Sequence, residues 1–157
     1  MPTRSTADVA AGRRLLAAPD FRGRCEKRLN HALSGQSDID LLCLASVDGR
    51  AIACVQRTGA NPARVAAMTA TLMSVSESLS RELDGSGVEH ALLSLRHGVV
   101  VSRRLGDRTG IFTLSALGRG TTNLALALRF TLDLADSLAA DIEALIAMPA
   151  GIQVSPA

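Results

Sequence analysis

Residues 39–56, with the sequence IDLLCLASVDGRAIACVQ, carry the clearest indication of secondary structure in this chain. Two apolar runs, 39–46 and 51–56, lie on either side of an Asp48-Gly49 pair. An Asp-Gly pair between two apolar runs is typical of a two-residue β-hairpin turn. The stretch therefore predicts two antiparallel strands joined by that turn.

Two of the three cysteines lie in this hairpin. Pairing outward from the turn places Val47 opposite Arg50 and Cys43 opposite Cys54, both as hydrogen-bonded pairs. Side chains of such a pair are poorly placed for a disulfide, so we interpret both cysteines as small buried apolar residues, with a redox switch as the alternative. Three cysteines without a CxxC spacing, Cys25 included, predict neither a disulfide framework nor a zinc site.

Both faces of the predicted hairpin are apolar. One face carries Leu41, Cys43, Ala45, Ile52 and Cys54, and the other carries Leu42, Leu44, Ala53 and Val55. A sheet that is apolar on both faces must be covered on both. The hairpin therefore predicts helices, or a partner chain, on each side of the sheet.

Three helices are predicted outside the hairpin. The first begins at Pro19 and ends near Ser34, with one apolar stripe at a spacing of four residues. The second runs over 62–83, opened by Asn61 as cap. The third follows Thr121 as N-cap. Its leucines alternate over 124–134, which is typical of a strand. The interleaved alanines and the continuing helical spacing favour a helix instead.

Three further strands are predicted over 88–95, 99–105 and 111–117, separated by turns rich in glycine. The fold class is α+β, a five-stranded antiparallel sheet with helices on both faces in the order α-β-β-α-β-β-β-α. We divide the chain into a flexible N-terminal arm (1–18, a frayed helix or disordered), a domain (19–147) and a loose C-terminal tail (148–157).

The middle helix presents two distinct faces. The apolar stripe predicted to face the core consists of Val65, Met68, Leu72, Val75 and Leu79. The second face is small and nearly uncharged: Ala66, Ala70, Met73, Glu77 and Ser80. Because small residues allow another backbone to approach closely, we interpret this second face as a contact with a second subunit. The alternative is an ordinary alanine-rich surface.

Composition excludes several classes of protein. The 157 residues include 17 basic and 15 acidic side chains, three Phe and neither Tyr nor Trp. That balance argues against a nucleic-acid binder, and the scarcity of aromatic rings argues against base stacking. No apolar run approaches the ~18 residues of a membrane helix, and the first twelve residues do not resemble a signal peptide. We expect a cytoplasmic protein without a membrane span.

No catalytic or metal-binding constellation is recognisable in the sequence. There is no phosphate-binding loop of the GxxxxGK[ST] type. The three histidines, His31, His90 and His97, lack metal-ligand spacing. The arginines of 103–108 and the carboxylates of 38–40 suggest solvated strand ends and turns, with an anion or partner contact at the arginines as the alternative. Gly118 to Thr122 is interpreted as a turn and cap. We expect no enzyme, no metal and no cofactor, and instead a binding module.

The element order and three segments resemble the roadblock / dynein light chain family over about 38–140. The segments are the hairpin with VDGRAIA at 47–53, the Met- and Ser-bearing helix over 68–83, and ALLSL at 91–95 with HGVVV at 97–101 and FTL at 112–114. They are patterns of hydrophobicity and turn, and not catalytic motifs. The chain departs from a minimal domain of the family in its N-terminal arm and its longer last helix.

The resemblance implies a homodimer in which the middle helix and the third strand meet their copies. On this chain the interface would comprise Ala66, Ala70, Met73, Glu77, Ser80, Glu89, Ala91 and Leu93. It also implies a non-catalytic regulator or scaffold for a bacterial Ras-like small GTPase. We expect such a regulator to position the GTPase's own residues. An arginine supplied in trans by Arg57, Arg64 or Arg81 is the less favoured alternative. The alternative hypothesis is a cytoplasmic small-molecule sensor, which requires an apolar pocket with a few polar groups.

Overall fold

A computed structural model describes residues 5–120 and 122–148. The elements are α1 (Thr6–Ala17), α2 (Pro19–Ser34), β1 (Ile39–Ser46), β2 (Ala51–Gln56), α3 (Pro62–Leu83), β3 (His90–Leu95), β4 (Gly98–Arg104), β5 (Phe112–Arg119) and α4 (Leu124–Ala147). The strands form one antiparallel sheet in the order β2-β1-β5-β4-β3. The α+β class, with a five-stranded antiparallel sheet between helices, is confirmed.

Local signals placed most elements correctly. β1, β2, α2 and α3 have the bounds that the sequence predicted, and β3 begins two residues later, at His90. α4 is a helix despite its alternating leucines. The predicted cap Thr121 lies outside the described residues. The side chain of Asn123 accepts hydrogen bonds from the N–H groups of Ala125 and Leu126, and so caps α4.

The segment expected to be a flexible arm contains the helix α1. Ser5 caps it, and Ala11 and Gly12 are buried. A Cβ atom at Gly12 would lie 2.6 Å from Cδ1 of Ile111, so the helix approaches the β4–β5 loop as closely as glycine permits. The closest contact of α1 is thus made by two small residues, while Leu15 and Leu16 pack half-buried against the main core. Of the predicted tail, all but Met148 lies outside the described residues.

The β1–β2 hairpin differs from the simple two-residue turn. The Ser46 N–H donates to the Arg50 carbonyl (2.9 Å), while the Val47 N–H donates to Ile111 instead of pairing with Arg50. The register shifts by one residue at a bulge between Leu44 and Ala45. Beyond this bulge Cys43 lies opposite Cys54, as predicted. Because one extra residue inverts the alternation of faces, the placement of Ile52 beside the cysteines was wrong.

The main core lies between the sheet and helices α2 and α4. The predicted stripe of α2 is confirmed, since Phe21, Cys25, Leu29 and Leu33 are all buried. Ile52 joins this core, and Phe21 packs on Phe112 with ring centroids 5.6 Å apart. Large aliphatic and aromatic side chains fill this side of the sheet.

The opposite face of the sheet is covered by α3 and is lined by small side chains. Among the described residues its buried apolar cluster consists of Leu41, Cys43, Ala45 and Ala66, against which the half-buried Val65 and Leu117 pack. Farther along the sheet, the buried hydroxyls of Ser102 and Ser115 share a hydrogen bond of 2.8 Å. A Cβ atom at Gly49, in the hairpin turn, would lie 3.2 Å from Cα of Ala67. The helix therefore sits close to the hairpin, as small contact residues allow.

The orientation predicted for α3 was wrong. Ala66 and Met73, expected on the outer face, have exposed fractions of 0% and 1%. Met68, Val75 and Leu79, expected in the core, are 65%, 60% and 59% exposed. The physical reason is volume, since the shallow surface of cysteine, alanine and serine accepts the small side of the helix. Met68, Val75 and Leu79 of the predicted stripe point away from the sheet, whereas Val65 and Leu72 are half-buried.

Candidate interaction surface

The outer face of α3 is an unusual solvent-facing helix surface because it is apolar. Met68, Val75, Leu79 and Leu83 are all exposed. Their separations of seven, four and four residues place them on one side of the helix. Clustered exposed apolar side chains of this kind are typical of a contact with another protein.

Strand β3 presents a second exposed apolar feature beside α3. It is the last strand in the sheet order, so within the described residues one backbone edge is unpaired. Leu93 and Leu95 are exposed. The cross-strand register places them on the same side of the sheet as Cys43 and α3. An exposed edge strand with leucine side chains is a template for pairing with another strand.

The loop after α3 holds the exposed face of α3 next to the edge strand β3. The hydroxyl of Ser80 accepts from the Gly87 N–H (3.0 Å) and donates to the Gly87 carbonyl (3.1 Å). The Asp84 carboxylate accepts from the N–H and hydroxyl of Ser86, and these bonds lower its pKa. The end of α3 is thereby held beside the start of β3. We call Met68, Val75, Leu79, Leu83, Leu93 and Leu95 the outer surface.

The interface residues predicted from the sequence lie mostly outside the outer surface. Ala66, Met73 and Ala91 are buried, and Ala70 is half-buried. Glu77 forms an ion pair with Arg104 (2.5 Å), and Ser80 holds the loop. Only Glu89 and Leu93 of the eight are exposed. A contact of α3 and β3 with a second copy stays a prediction, but the accessible side of α3 is the other one.

Arg57 has a structural role that sequence reasoning missed. Its guanidinium donates to the carbonyls of Leu33 (2.7 Å), Gln36 (2.7 Å) and Ile39 (2.5 Å). The Leu33 carbonyl lies in the last turn of α2, where backbone acceptors lack helical partners. Gln36 follows that helix, and Ile39 is the first residue of β1. Arg57 is therefore engaged within the fold. Arg64 and Arg81 are exposed, and Arg81 donates to the Ser78 hydroxyl (2.9 Å).

The arginine cluster of 103–108 is divided among three acidic partners. Arg103 pairs with Asp136 on α4 (3.0 Å), and Arg104 pairs with Glu77 on α3. Arg108 pairs with Glu143 (2.7 Å), and its backbone N–H also donates to that carboxylate, which lowers the pKa of Glu143. These arginines join the helices to the sheet and do not converge on one anion site.

The remaining polar candidates do not converge either. Asp40 pairs with Arg119 (2.6 Å), while Asp38 is exposed. His31 and His97 are exposed, and Nδ1 of the half-buried His90 is buried without a hydrogen-bond partner among the described residues. Residues 5–120 and 122–148 contain no cluster of three metal-ligating side chains. Over the same residues, no helix combines the length and apolarity needed to cross a membrane.

A groove of about 500 Å³ lies between α1 and the β1–β2 turn. Val9, Leu16 and Ile111 contribute its apolar lining, and Arg13 and Arg50 contribute charge. Arg50 is already paired with Asp48 (3.2 Å). Bonding from Ser46 and this ion pair lower the pKa of Asp48. The groove is open to solvent on one side.

The fold and its outer surface define a small α+β domain with a helix and an edge strand available for protein contact. A family model described as "Roadblock/LC7 domain" matches residues 31–116. The chain belongs to the Roadblock/LC7 family. The resemblance inferred from the hairpin, the middle helix and the later strands is confirmed.

Solved structures share this fold at low sequence identity. A Roadblock/LC7 domain from Streptomyces avermitilis is 16% identical with a TM-score of 0.66, covering 74% of this chain and 96% of its own. Myxococcus xanthus MglB is 13% identical with a TM-score of 0.64, covering 96% and 98%. A further MglB structure, described as having a tetrameric arrangement, is 15% identical with a TM-score of 0.66, covering 79% and 90%. No curated protein gives a significant match.

Proposed function

We propose that this protein is a homodimeric, non-catalytic regulator or scaffold that binds a bacterial Ras-like small GTPase. The observation that supports a homodimer is the exposure of the outer surface, whose leucine, valine and methionine side chains face solvent in a single copy. Burying such side chains is favourable by about 25 cal/mol per Å² of apolar area. A second copy that covers them would remove a large apolar patch from water.

The arrangement of the dimer follows from the edge strand. Two copies of β3 can pair antiparallel about a two-fold axis, so that the two five-stranded sheets continue as one. On the same side of the sheet, the apolar stripes of the two α3 helices then meet across the axis. This pairing occupies Leu93 and Leu95 together with Met68, Val75 and Leu79.

The GTPase partner is proposed from the family resemblance. A regulator of this kind acts by positioning groups of the GTPase itself rather than by supplying an active site of its own. Arg57 is engaged at the end of α2, so it is a poor candidate for an arginine supplied in trans. Arg64 and Arg81 are the exposed candidates on α3.

Light scattering of purified variants tests the dimer. Val75→Glu places a charge in the outer surface, and we expect the mass to fall from dimer to monomer at micromolar concentration with an unchanged circular dichroism spectrum. Leu126→Glu is the matched control, because Leu126 is 67% exposed on α4 and lies outside the outer surface. A monomeric wild-type protein, or a dimer that survives Val75→Glu, would reject this interface.

Affinity capture from the native cell lysate tests the partner. The tagged protein is incubated with GDP or with a non-hydrolysable GTP analogue, and captured proteins are identified by mass spectrometry. A Ras-like GTPase enriched with one nucleotide would support the regulator. Stoichiometric capture of an unrelated protein in both conditions would indicate a scaffold whose role belongs to that partner.

The groove beside α1 favours one alternative, a small-molecule sensor. Its apolar lining, together with the Arg13 side chain, suits a small ligand that carries an acidic group. Native mass spectrometry of the freshly purified protein is the test. A stoichiometric bound compound that Arg13→Glu removes would favour the sensor, and an unliganded mass would argue against it.

A further inference from the structure

Cys43 and Cys54 face each other across the β1–β2 hairpin. They are direct cross-strand partners on the α3 side of the sheet. Cys43 is buried and Cys54 is half-buried. The third cysteine, Cys25, lies on α2 in the core on the opposite face. The hairpin therefore brings together two thiols and keeps the third away from them.

The backbone hydrogen bonds show which kind of pair the two cysteines form. The Arg57 N–H donates to the Asp40 carbonyl (2.8 Å), so residues 40 and 57 form a hydrogen-bonded pair. The register is regular from Leu41 to Leu44, and hydrogen-bonded pairs alternate with non-hydrogen-bonded ones. Cys43 and Cys54 are therefore a non-hydrogen-bonded pair, contrary to the expectation from a simple turn. The bulge accounts for the difference, because it shifts the alternation by one step.

The kind of cross-strand pair determines whether two cysteines can form a disulfide. Opposite residues of a non-hydrogen-bonded pair have Cα atoms about 4.5 Å apart, with their side chains closer than in the other kind. That separation lies within the range compatible with a disulfide, at its short end. A disulfide between Cys43 and Cys54 is therefore compatible with the geometry of the sheet.

We propose that Cys43 and Cys54 form a thiol–disulfide site that reacts with low-molecular-weight disulfides in the folded protein. Cys54 is the attacking group because its side chain is partly exposed, and Cys43 is the resolving group beneath it. Ala60, Val65 and Ala66 surround the pair, so closure would tie the edge strand β2 to β1 directly below the start of α3.

The chemistry balances with a disulfide RSSR as oxidant. The Cys54 thiolate attacks one sulfur of RSSR, forming a mixed disulfide and releasing RS⁻, which takes up the proton lost by Cys54. Cys43 then attacks the Cys54 sulfur, and its proton goes to the second RS⁻ that leaves. The protein loses two hydrogen atoms, and RSSR is reduced to two RSH.

The ionisation of the three thiols supports this division of roles. The interaction between the side chains of the two neighbouring cysteines raises the pKa of Cys43 and lowers the pKa of Cys54. Burial raises the pKa of Cys25 from an ordinary value of 9.0 to about 11. The Cys25 thiolate is thus about 100-fold scarcer than that of an ordinary cysteine. Cys25 serves as an internal control.

Peptide mapping of the oxidised native protein tests the proposal. Trypsin cleavage after arginine and lysine places Cys25, Cys43 and Cys54 in the separate peptides 25–27, 29–50 and 51–57. After treatment with oxidised glutathione, acid quench and alkylation, we expect 29–50 linked to 51–57 while Cys25 is alkylated. Cys25→Ala should leave the linkage unchanged.

Two variants separate the roles. Cys43→Ala should stop the reaction at a glutathione adduct on Cys54, and Cys54→Ser should leave Cys43 free of adduct. If the buried substitution unfolds the protein, the wild-type map and Cys54→Ser decide the question alone. The proposal is overturned if the native protein shows no 29–50 to 51–57 linkage under conditions that oxidise the urea-unfolded chain, or if Cys25 reacts first.

Discussion

Helices α2 and α3 lie on opposite faces of one sheet, and each carries an apolar stripe. α2 buries its stripe, whereas α3 turns its stripe away from the sheet. The other side of α2 holds Arg22, Arg24 and Lys27, so only one orientation avoids burying charge. The other side of α3 holds alanine, threonine and methionine with one acidic residue, Glu77, which pairs with Arg104 of β4, so this side can itself be buried. A stripe therefore indicates the direction of a helix only when the opposite side is charged.

The difference between the two faces of the sheet explains why α3 packs with its small side against the sheet. On the α2 side, Leu42, Leu44, Phe112 and Leu114 form a deep surface that accepts large side chains. On the α3 side, Cys43, Ala45, Ser102 and Ser115, together with the larger Leu41, form a shallower one. A shallow surface packs without voids against a small helix face at close distance. The large residues of α3 stay exposed on its outer side.

The largest expected effect distinguishes the two sides of α3. Met73→Glu places a carboxylate beneath the helix, and an unpaired buried charge costs several kcal/mol. We expect extensive unfolding at neutral pH, seen by circular dichroism. Val75→Glu, two residues away and exposed, should keep the fold and lose only self-association. A folded Met73→Glu protein that fails to associate would restore the orientation first inferred from the sequence.

A cavity in the main core should have the next largest effect. Leu29→Ala removes a fully buried side chain of α2 and should lower the free energy of unfolding by about 2–5 kcal/mol. Leu79→Ala on the exposed stripe of α3 should change it by less than about 0.5 kcal/mol in the dissociated monomer. Urea denaturation of dilute protein measures both. Equal losses would show that both stripes are core.

Breaking one ion pair on each face of the sheet should lower the free energy of unfolding by smaller and unequal amounts. Glu77→Gln leaves the half-buried Arg104 without its carboxylate, and we expect a loss of about 1.5 kcal/mol in the free energy of unfolding. Glu26→Gln breaks the exposed Arg22–Glu26 pair on α2 and should cost less than about 0.5 kcal/mol. Urea titration at constant ionic strength measures both. The prediction fails if Glu26→Gln is the more damaging change.

The smallest effect is a pH dependence on the α4 side. Bonds from the Arg108 backbone and side chain hold the pKa of Glu143 below its ordinary value of 4.5. The ionised carboxylate therefore stabilises the fold above that pH, and this contribution is lost as pH falls through the lowered pKa. Denaturation of wild type and Glu143→Gln over this range should show their difference shrinking on acidification. A difference independent of pH would exclude this linkage.

Much of the fold could be predicted because its signals are local. The Asp48-Gly49 turn, the Asn61-Pro62 helix start and the glycines after α3 act within a few residues of themselves, and the bounds of β1, β2 and α3 were correct. The candidate surface was harder. The sequence and the family resemblance predicted that α3 and β3 contact a second copy, which stays a prediction, but the sequence placed the wrong side of α3 against the sheet. The spacing of the apolar residues does not by itself show that the large ones on α3 are exposed.

The sequence by itself determined where the strands and helices lie, because turn, cap and periodicity signals depend on neighbouring residues. Only the tertiary structure decided which side of α3 meets the sheet, that Ala11 and Gly12 anchor α1, and that a bulge moves Ile52 to the other face. These outcomes depend on the volumes of surfaces that are distant in the chain. One extra residue in a strand moves the side chains beyond it to the other face of the sheet. A shallow sheet face changes which side of a helix packs against it. Neither effect alters the local sequence pattern.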